Sequence, residues 1–422
     1  MSEDVYYGRC AGIDVHKRFL VVCLRIGRKT ELRNYGTLTH EIREMIAWLK
    51  ENGCQMAAME SSGSYWKPIT NIFEQEGLPV MVCNAHHLKN VPGRKTDVND
   101  AQWIAKCLSL GMLSPSFIPD RAQRELRDMT RFRKSQIEER ARNLNRLQKF
   151  LEGANIKLGS WLSEVDGKSA TLLLELVIGK PDFTVEDVAD CMHGRMKSTK
   201  EELFRSLEGS MTPTQREFFA HIMAVMREQT AQIERTDAMI QRILSENYKA
   251  AVKMLDVIPG IGRISAEQII AETGTDMSHF RNQHSLSKWA GICPGNNESA
   301  GKRKSGKTPP GNKTLKTTLT QCAQAAKKKK NSFFSAQYSR LVTHRGKNRA
   351  TMAVAHSLLI AIYFVLCGNQ FKDLGSDYYT QFNREKKINS HVKQLSKLGL
   401  AIPENIIRDA LQRPPDPKGR SA

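Results

Sequence analysis

Carboxylates set inside apolar, strand-forming runs constrain this chain more than any other feature. Residues 8–36 read as strands, GRCAGIDVHKRFLVVCLRIG and then ELRNYGTL, dense in Val, Ile, Leu and Phe and punctuated by Gly and Arg-Lys pairs. Asp14 lies within the first of these, in GIDVHK, where an unpaired charge is costly unless it faces an open edge or a cation. Glu60 ends a further buried run, QMAAMESSG, and leads straight into Ser61, Ser62 and Gly63. Between them a helix is expected from about Thr39, with Ile42, Met45, Ile46 and Leu49 on one face. Tyr65 to Gln75 suits a second helix, PVMVCNA a further strand, and a last helix begins near Asp97. Residues 1–118 therefore read as a mixed α/β domain.

Asp97 and Asp100, in KTDVNDAQWIA, are three apart at that helix start and so project from one face. Four carboxylates from two strand ends and one helix face can converge on two hard cations through oxygen ligands. Two such ions about 4 Å apart clamp the attacking and leaving oxygens of a phosphodiester, and Mg²⁺ or Mn²⁺ is the expected cofactor. Arg94 and Lys95 add cations where a phosphate would arrive. Each acid taken singly also has a bland role: Asp97 as a helix cap, Asp100 as surface charge, Glu60 as the partner of a lysine. Their joint placement is what carries the metal reading. His16, His86 and His87 are read as flanking residues rather than ligands.

Charge points the same way. Across 422 residues, 64 Lys and Arg face 44 Asp and Glu, a net charge of +20. Such an excess favours an anionic polymer, because each phosphate neutralised releases condensed counterions. An apolar content of 40% with 26% charged residues describes a folded chain and not a disordered one. The nine cysteines form no CxxC pair, which argues against zinc ribbons and for reduced thiols. The acidic start MSEDVYYGRC lacks a signal-peptide layout, and the longest apolar run, Leu358 to Cys367, is short of the roughly 20 residues that cross a bilayer. A soluble cytoplasmic protein with no membrane role is the expectation.

From Asp120 the character changes. Residues 121–150 hold ten Lys/Arg and four Asp/Glu in a long run of helix formers without proline. Ile137, Leu144 and Leu151 recur every seven residues, with Ala141 and Gln148 between them. A second long helix is expected over 214–246, where Phe219, Ile222, Met226, Gln229, Ile233, Thr236, Ile240 and Ile243 alternate steps of three and four. Residues 119–247 thus read as a helical, coiled-coil assembly region, its seam lying either within one chain or between chains.

A third segment, 248–340, opens with DVIPGIGRISAEQIIAETG, a helix, a Gly-punctuated turn and another helix. The IPGIG turn resembles a helix-hairpin-helix, whose backbone N–H groups, at Gly260 and Gly262, grip phosphate without reading bases. A basic loop follows, GICPGNNESAGKRKSGKTPPGNKTLK, in which Lys302, Arg303, Lys304, Lys307, Lys313 and Lys316 come after the last acid, Glu298. Trp289, Ile292, Cys293 and Pro294 give the loop an apolar root. Ser299 lies where that root turns into the basic stretch, and Ser305 is six residues deeper. A serine hydroxyl needs a base or a metal to become a nucleophile, and chemistry alone leaves these two as near rivals. Residues 341–422 read as a C-terminal helical region and tail.

Together GIDVHK, AMESSGSYW, VPGRKTDVNDAQWIA, IPGIGRISA and KWAGICPGNNESAGKRKSGK resemble the DEDD transposases of bacterial insertion sequences, the IS-one-ten family with its bridge-RNA-guided recombinases. The resemblance implies a RuvC-like, ribonuclease-H-type N-terminal domain joined by a coiled coil to a mainly helical transposase domain. It implies Asp14, Glu60, Asp97 and Asp100 as the metal-binding set and Ser299 as the nucleophile of a covalent phosphoserine intermediate. It also implies a structured non-coding RNA that pairs with donor and target DNA, homodimers and homotetramers, and action at the nucleoid.

Two other readings compete. A junction-resolving nuclease, with water as nucleophile, would use the same acids but leave the 291–316 loop without a task. A nucleic-acid packaging protein would account for the charge but not for acids grouped at strand ends. A non-coding RNA encoded beside the gene separates the first reading from these two.

Overall fold

The computed structural model describes residues 7–61, 63–83, 99–162, 164–194, 196–295, 297–299, 302–379, 384–400 and 402–412; for 297–299, 302–305, 384, 386–387 and 409–412 it describes the backbone alone. The chain divides into two compact units, Met1–Arg121 and Ala122–Ala422.

In the first unit, β1 (Arg9–Val15), β2 (Phe19–Ile26) and β3 (Lys29–Gly36) form a meander, followed by α1 (Thr39–Glu51), β4 (Met56–Glu60), α2 (Trp66–Glu76), β5 (Val80–Cys83) and α3 (Asp100–Ser109). The sheet order is β3-β2-β1-β4-β5. β2 runs antiparallel to β1 and β3, while β4 is parallel to β1 and β5 to β4. These elements follow the strand and helix segments expected from hydrophobic periodicity.

Alternation along the strands divides two cores. Ala11, Ile13, Ala57 and Met59 face α1 and α2, packing on Ile42, Met45, Leu49 and Phe73. Cys10, Ala58 and Cys83 face the other way, onto Trp103, Ile104, Cys107 and Leu108 of α3. Five cysteines of this unit are buried in these layers, and burial pushes the thiols of Cys10 and Cys83 up to about 12.

Among its described residues the second unit is built of helices and one hairpin. Its longest helices, α4 (Arg121–Gly153) and α9 (Pro213–Ile243), lie antiparallel. Phe150 meets Phe218 and Phe219 at ring separations of 5.0 and 6.2 Å. Asn143 Nδ2 donates to Gln229 Oε1 at 3.0 Å, Arg140 Nε donates to Thr230 Oγ1 at 2.8 Å, and Arg133 pairs with Asp237. Between them α5 (Leu158–Trp161), α6 (Lys168–Gly179), α7 (Val185–Asp190) and α8 (Lys200–Leu207) fill the far end of the arm, where Leu147 and Leu151 join Leu173, Leu203, Phe219 and Met223 in one core.

The long helix has a partner within the chain, and one apolar repeat falls out of register. The partner of the 214–246 helix is α4 of the same chain, and Ser245 ends the run early by accepting from Tyr248 N as the cap of α10 (Glu246–Asp256). Along α4 the buried positions are Gln123, Arg124, Leu126, Thr130, Arg133, Gln136, Leu147 and Leu151, whereas Ile137, Ala141 and Gln148 are exposed. The middle of this seam is polar, so a periodicity read from apolar residues alone is out of register with it.

Beyond α10 come α11 (Arg263–Thr273), a 3-10 turn (Met277–His279), α12 (Gln283–Trp289), β6 (Asn297–Ser299), β7 (Lys302–Ser305), α13 (Lys313–Ala326), α14 (Phe333–Arg345), α15 (Lys347–Leu366), α16 (Arg384–Lys397) and α17 (Glu404–Gln412). Among the described residues α15 is long and apolar enough to cross a membrane. Its stripe Ala350, Val354, Leu358, Leu359 and Ile362 is buried against α12, α13 and α14.

Candidate catalytic elements

Parallel pairing of β1 with β4 matches Ile13 to Met59. The next residue on each strand, Asp14 and Glu60, therefore extends from neighbouring strands at the same end of the sheet. Both share the parity of Cys10 and Ala58, which puts them on the α3 face. Asp100 is the first residue of α3, whose cap Asn99 accepts from Ala101 N at 2.9 Å. Helix α3 comes this close because position 12 is glycine: a Cβ there would run into the Ala101 carbonyl oxygen and the Ala105 nitrogen.

The Asp14 carboxylate is engaged by His16, whose Nε2 lies 3.0 Å from Oδ2 and whose ring stacks on Phe19 at 4.4 Å. Among the described residues no three His, Cys, Asp or Glu side chains stand close enough to hold an ion. Asp97, Arg94 and Lys95, with His86 and His87, lie outside the described residues.

The serine loop is built as a hairpin. Ser299 pairs with Lys302 at its closed end, Glu298 with Arg303, and Asn297 with Ser305 at its open end, with a register irregularity between Asn297 and Glu298. Ser305 is thus nearer the anchored root than Ser299, opposite to the order that sequence distance suggests. A rigid root does not by itself favour Ser299. Lys302, Arg303 and Lys304 lie on β7, while Lys307 is exposed in the following loop and Lys313 is exposed at the start of α13.

At its base the loop is closed tightly. Asn312 N donates to the Trp289 carbonyl at 3.1 Å, and Asn312 Oδ1 caps α13 by accepting from Leu315 N at 3.0 Å. Its Nδ2 donates to Glu272 Oε2 at 2.6 Å. Glu272, on α11, is fully buried and accepts from Arg131 Nε and Nη2 at 2.7 and 2.8 Å, with Arg127 Nε 3.4 Å from its Oε2. Beside it Arg133, 1% exposed, pairs with Asp237 and lies 2.7 Å from Glu267 Oε2, near enough for an ion pair though not aligned for a hydrogen bond. Arg263 binds Asp237 and Glu267 from the other side. The long arm and the root of the serine loop are therefore joined through buried charge. Sequence reading passed over this network; its visible trace was an acid, Glu272, within the apolar helix EQIIAET.

In the IPGIG turn, Gly260 adopts φ +85° and packs closely against the α13 backbone at Cys322 and Ala326. Gly262 opens α11 with free space beside its Cα.

Two family profiles match the chain: one named DEDD_Tnp_IS110 and described as Transposase, over residues 11–156, and one described as Transposase IS116/IS110/IS902 family, over residues 252–339. Together they span more than half of the chain. The protein belongs to the IS110 family of transposases. It is an enzyme acting on DNA, of the transposase/recombinase kind. The first match takes in Asp14, Glu60, Asp97 and Asp100; the second takes in the IPGIG turn and the hairpin of Ser299. No curated protein matches the chain.

Proposed function

We propose that this transposase cleaves and rejoins DNA strands at donor and target sites through a phosphoserine link at Ser299, with Asp14, Glu60, Asp97 and Asp100 holding Mg²⁺ or Mn²⁺. The observation that carries the reading is the shared face of Asp14, Glu60 and Asp100, two at adjacent parallel strand ends and one opening the helix packed on that face. Carboxylate oxygens suit a hard cation, and the thiol of Cys83, the register neighbour of Glu60, is held protonated by burial. When bound, the ions would supply positive charge against the developing charge on the phosphate oxygens. The sheet order β3-β2-β1-β4-β5 supports a RuvC-like, ribonuclease-H-type domain over 1–118.

In the chemistry proposed, Ser299 Oγ forms a bond to phosphorus while the bond to the leaving sugar oxygen breaks. The serine gives up its proton and the leaving oxygen takes one. A sugar hydroxyl of the strand to be joined then attacks the phosphoserine and releases Ser299. The basic residues of β7, with Lys307 and Lys313, hold phosphates nearby, and Gly262 offers backbone to a phosphate. Segments 119–247, 248–340 and 341–422 would serve as arm, transposase domain and C-terminal region. A structured bridge RNA supplies sequence recognition, so the protein itself need read only backbone and shape. Homodimers and homotetramers bring one chain's carboxylates to another chain's serine.

One experiment tests this. The protein is incubated with its element's end DNA, its RNA and Mg²⁺, and a protein–DNA adduct that survives denaturation is sought. The adduct should form with Mg²⁺, vanish with chelator and vanish in Asp14→Asn. Strand cleavage with no adduct would establish instead a RuvC-like nuclease that uses water.

A further inference from the structure

Beside the serine hairpin the second unit holds a cleft of about 950 Å³, at the upper end of the roughly 300–1,000 Å³ usual for ligand sites. Its walls come from both flanks of the hairpin, Ile292 and Pro294 before β6 and Lys307 after β7, and from α14 and α15. Arg345 and Arg349 stand at the junction of those two helices, exposed, and neither has an acidic partner among the described residues. Among the described residues no carboxylate lines the cleft.

Deeper in, the surface changes character. Leu341, Met352 and Ala353 make an apolar wall. Gln337 Nε2 donates to Ser357 Oγ at 2.9 Å, while its Oε1 is buried and accepts no hydrogen bond. A buried acceptor left unmatched costs about 1–3 kcal/mol, which a donor arriving in the cleft would recover. His356 lies beside it, and burial, then the nearby His284, pushes its pKa below the usual histidine value. It therefore offers a neutral ring at pH 7.

We infer that this cleft receives an unpaired nucleotide of the DNA strand cut at the hairpin, its phosphate at Arg345 and Arg349 and its base against Met352 and the Gln337 amide. Cations at the mouth match phosphate, and an apolar wall with an unmatched acceptor matches a base edge carrying an N–H. A duplex keeps its bases stacked and offers such a cleft only phosphates, whereas a single strand can turn a base into it. The assignment to the cut strand rests on the proposed role of Ser299, since the cleft is walled by both flanks of its hairpin.

The test uses the full chain and fluorescence anisotropy with a short single-stranded DNA, the same sequence as RNA, and a blunt duplex. Arg345→Gln with Arg349→Gln, and separately Met352→Trp to fill the cleft, should each weaken single-stranded DNA binding at least about tenfold, the loss of roughly one stacked base. Duplex binding should change little. Equal losses on duplex and single strand, or no loss on either, would overturn the proposal. RNA bound as tightly, with the same sensitivity to the substitutions, would make the occupant RNA and overturn the DNA assignment. Should a variant fail to fold, a photoreactive thymidine analogue in the single strand should crosslink wild-type protein within 333–357, and crosslinks solely elsewhere would count against the cleft. Ser299→Ala separates the two readings: it should keep single-strand binding while losing the covalent adduct. An adduct retained there would remove the serine role and leave the cleft standing.

Discussion

Gly291 and Gly311 pack backbone against backbone at the neck of the loop that carries Ser299: a Cβ on Gly311 would stand 2.3 Å from the Gly291 nitrogen. One residue further, Asn312 ties that neck to the buried carboxylate of Glu272 and so to Arg131 on the long arm. The hairpin therefore leaves the helical unit from a fixed base. Covalent chemistry needs its attacking oxygen within about 3–3.5 Å of phosphorus, in line with the leaving group, and such a base limits how far the hairpin can swing.

Widening the neck should cost chemistry more than binding. Gly311→Ala forces the two backbones apart, and adduct formation should fall at least about tenfold, in keeping with the steep cost of misplacing reacting groups by roughly 1 Å. DNA affinity measured by anisotropy should hold within a few fold. Unchanged adduct yield would show that the neck does not govern the hairpin.

Position 12 offers a comparable test in the first unit. Gly12→Val must push α3 off β1, and overpacking of this kind costs about 1–3 kcal/mol. Urea unfolding should register that loss, and strand cleavage should fall further than stability does, because Asp100 moves away from Asp14. Full cleavage in a folded Gly12→Val protein would separate the acids from the helix packing.

The two serines differ in place more than in chemistry. Ser299→Ala should abolish both adduct and strand joining, while Ser305→Ala should keep the adduct with weaker DNA binding at most. Peptide mapping of trapped adduct decides between them. Phosphate found on Ser305 would mean that the residue at the open end of the hairpin reacts.

Buried charge in the arm predicts a pH dependence. Burial opposes the Asp237 carboxylate, but Arg263 and Arg133 outweigh it and hold its pKa below the ordinary aspartate value. A depressed folded-state pKa stabilises at pH above the unfolded value, and that contribution is lost as pH falls through the folded one. Stability of wild type should therefore drop below about pH 4, and Asp237→Asn should flatten the drop. Removing the deeper partner is harsher: Glu267→Ala leaves the buried Arg133 with Asp237 as its remaining acid and should cost about 3 kcal/mol in urea unfolding, the lower end for breaking a buried pair. A loss under about 1 kcal/mol would place the pair among weakly contributing surface bridges.

Local chemistry determined a good deal of this molecule. Alternation in GIDV and AAME, the helical faces at 42–49 and the turn residues between them specify strands and helices through short-range preferences, and Asp14 and Glu60 stand out because a charge in such a run needs a reason. What depends on distant partners was not legible there. The antiparallel seam of α4 and α9 runs through Thr130, Arg133 and Gln136, polar residues that no apolar periodicity marks, and only tertiary contact gives Arg133 its partners at 237 and 267. The hairpin reverses the order of Ser299 and Ser305 relative to their anchor, because pairing of Asn297 with Ser305 brings the later residue back to the root. Glu272 likewise acquires its meaning from Arg131 and Asn312, residues 141 and 40 positions away. Burial of those charges is a property of the assembled helices; the sequence marks Glu272 as an acid in an apolar run but names none of its partners.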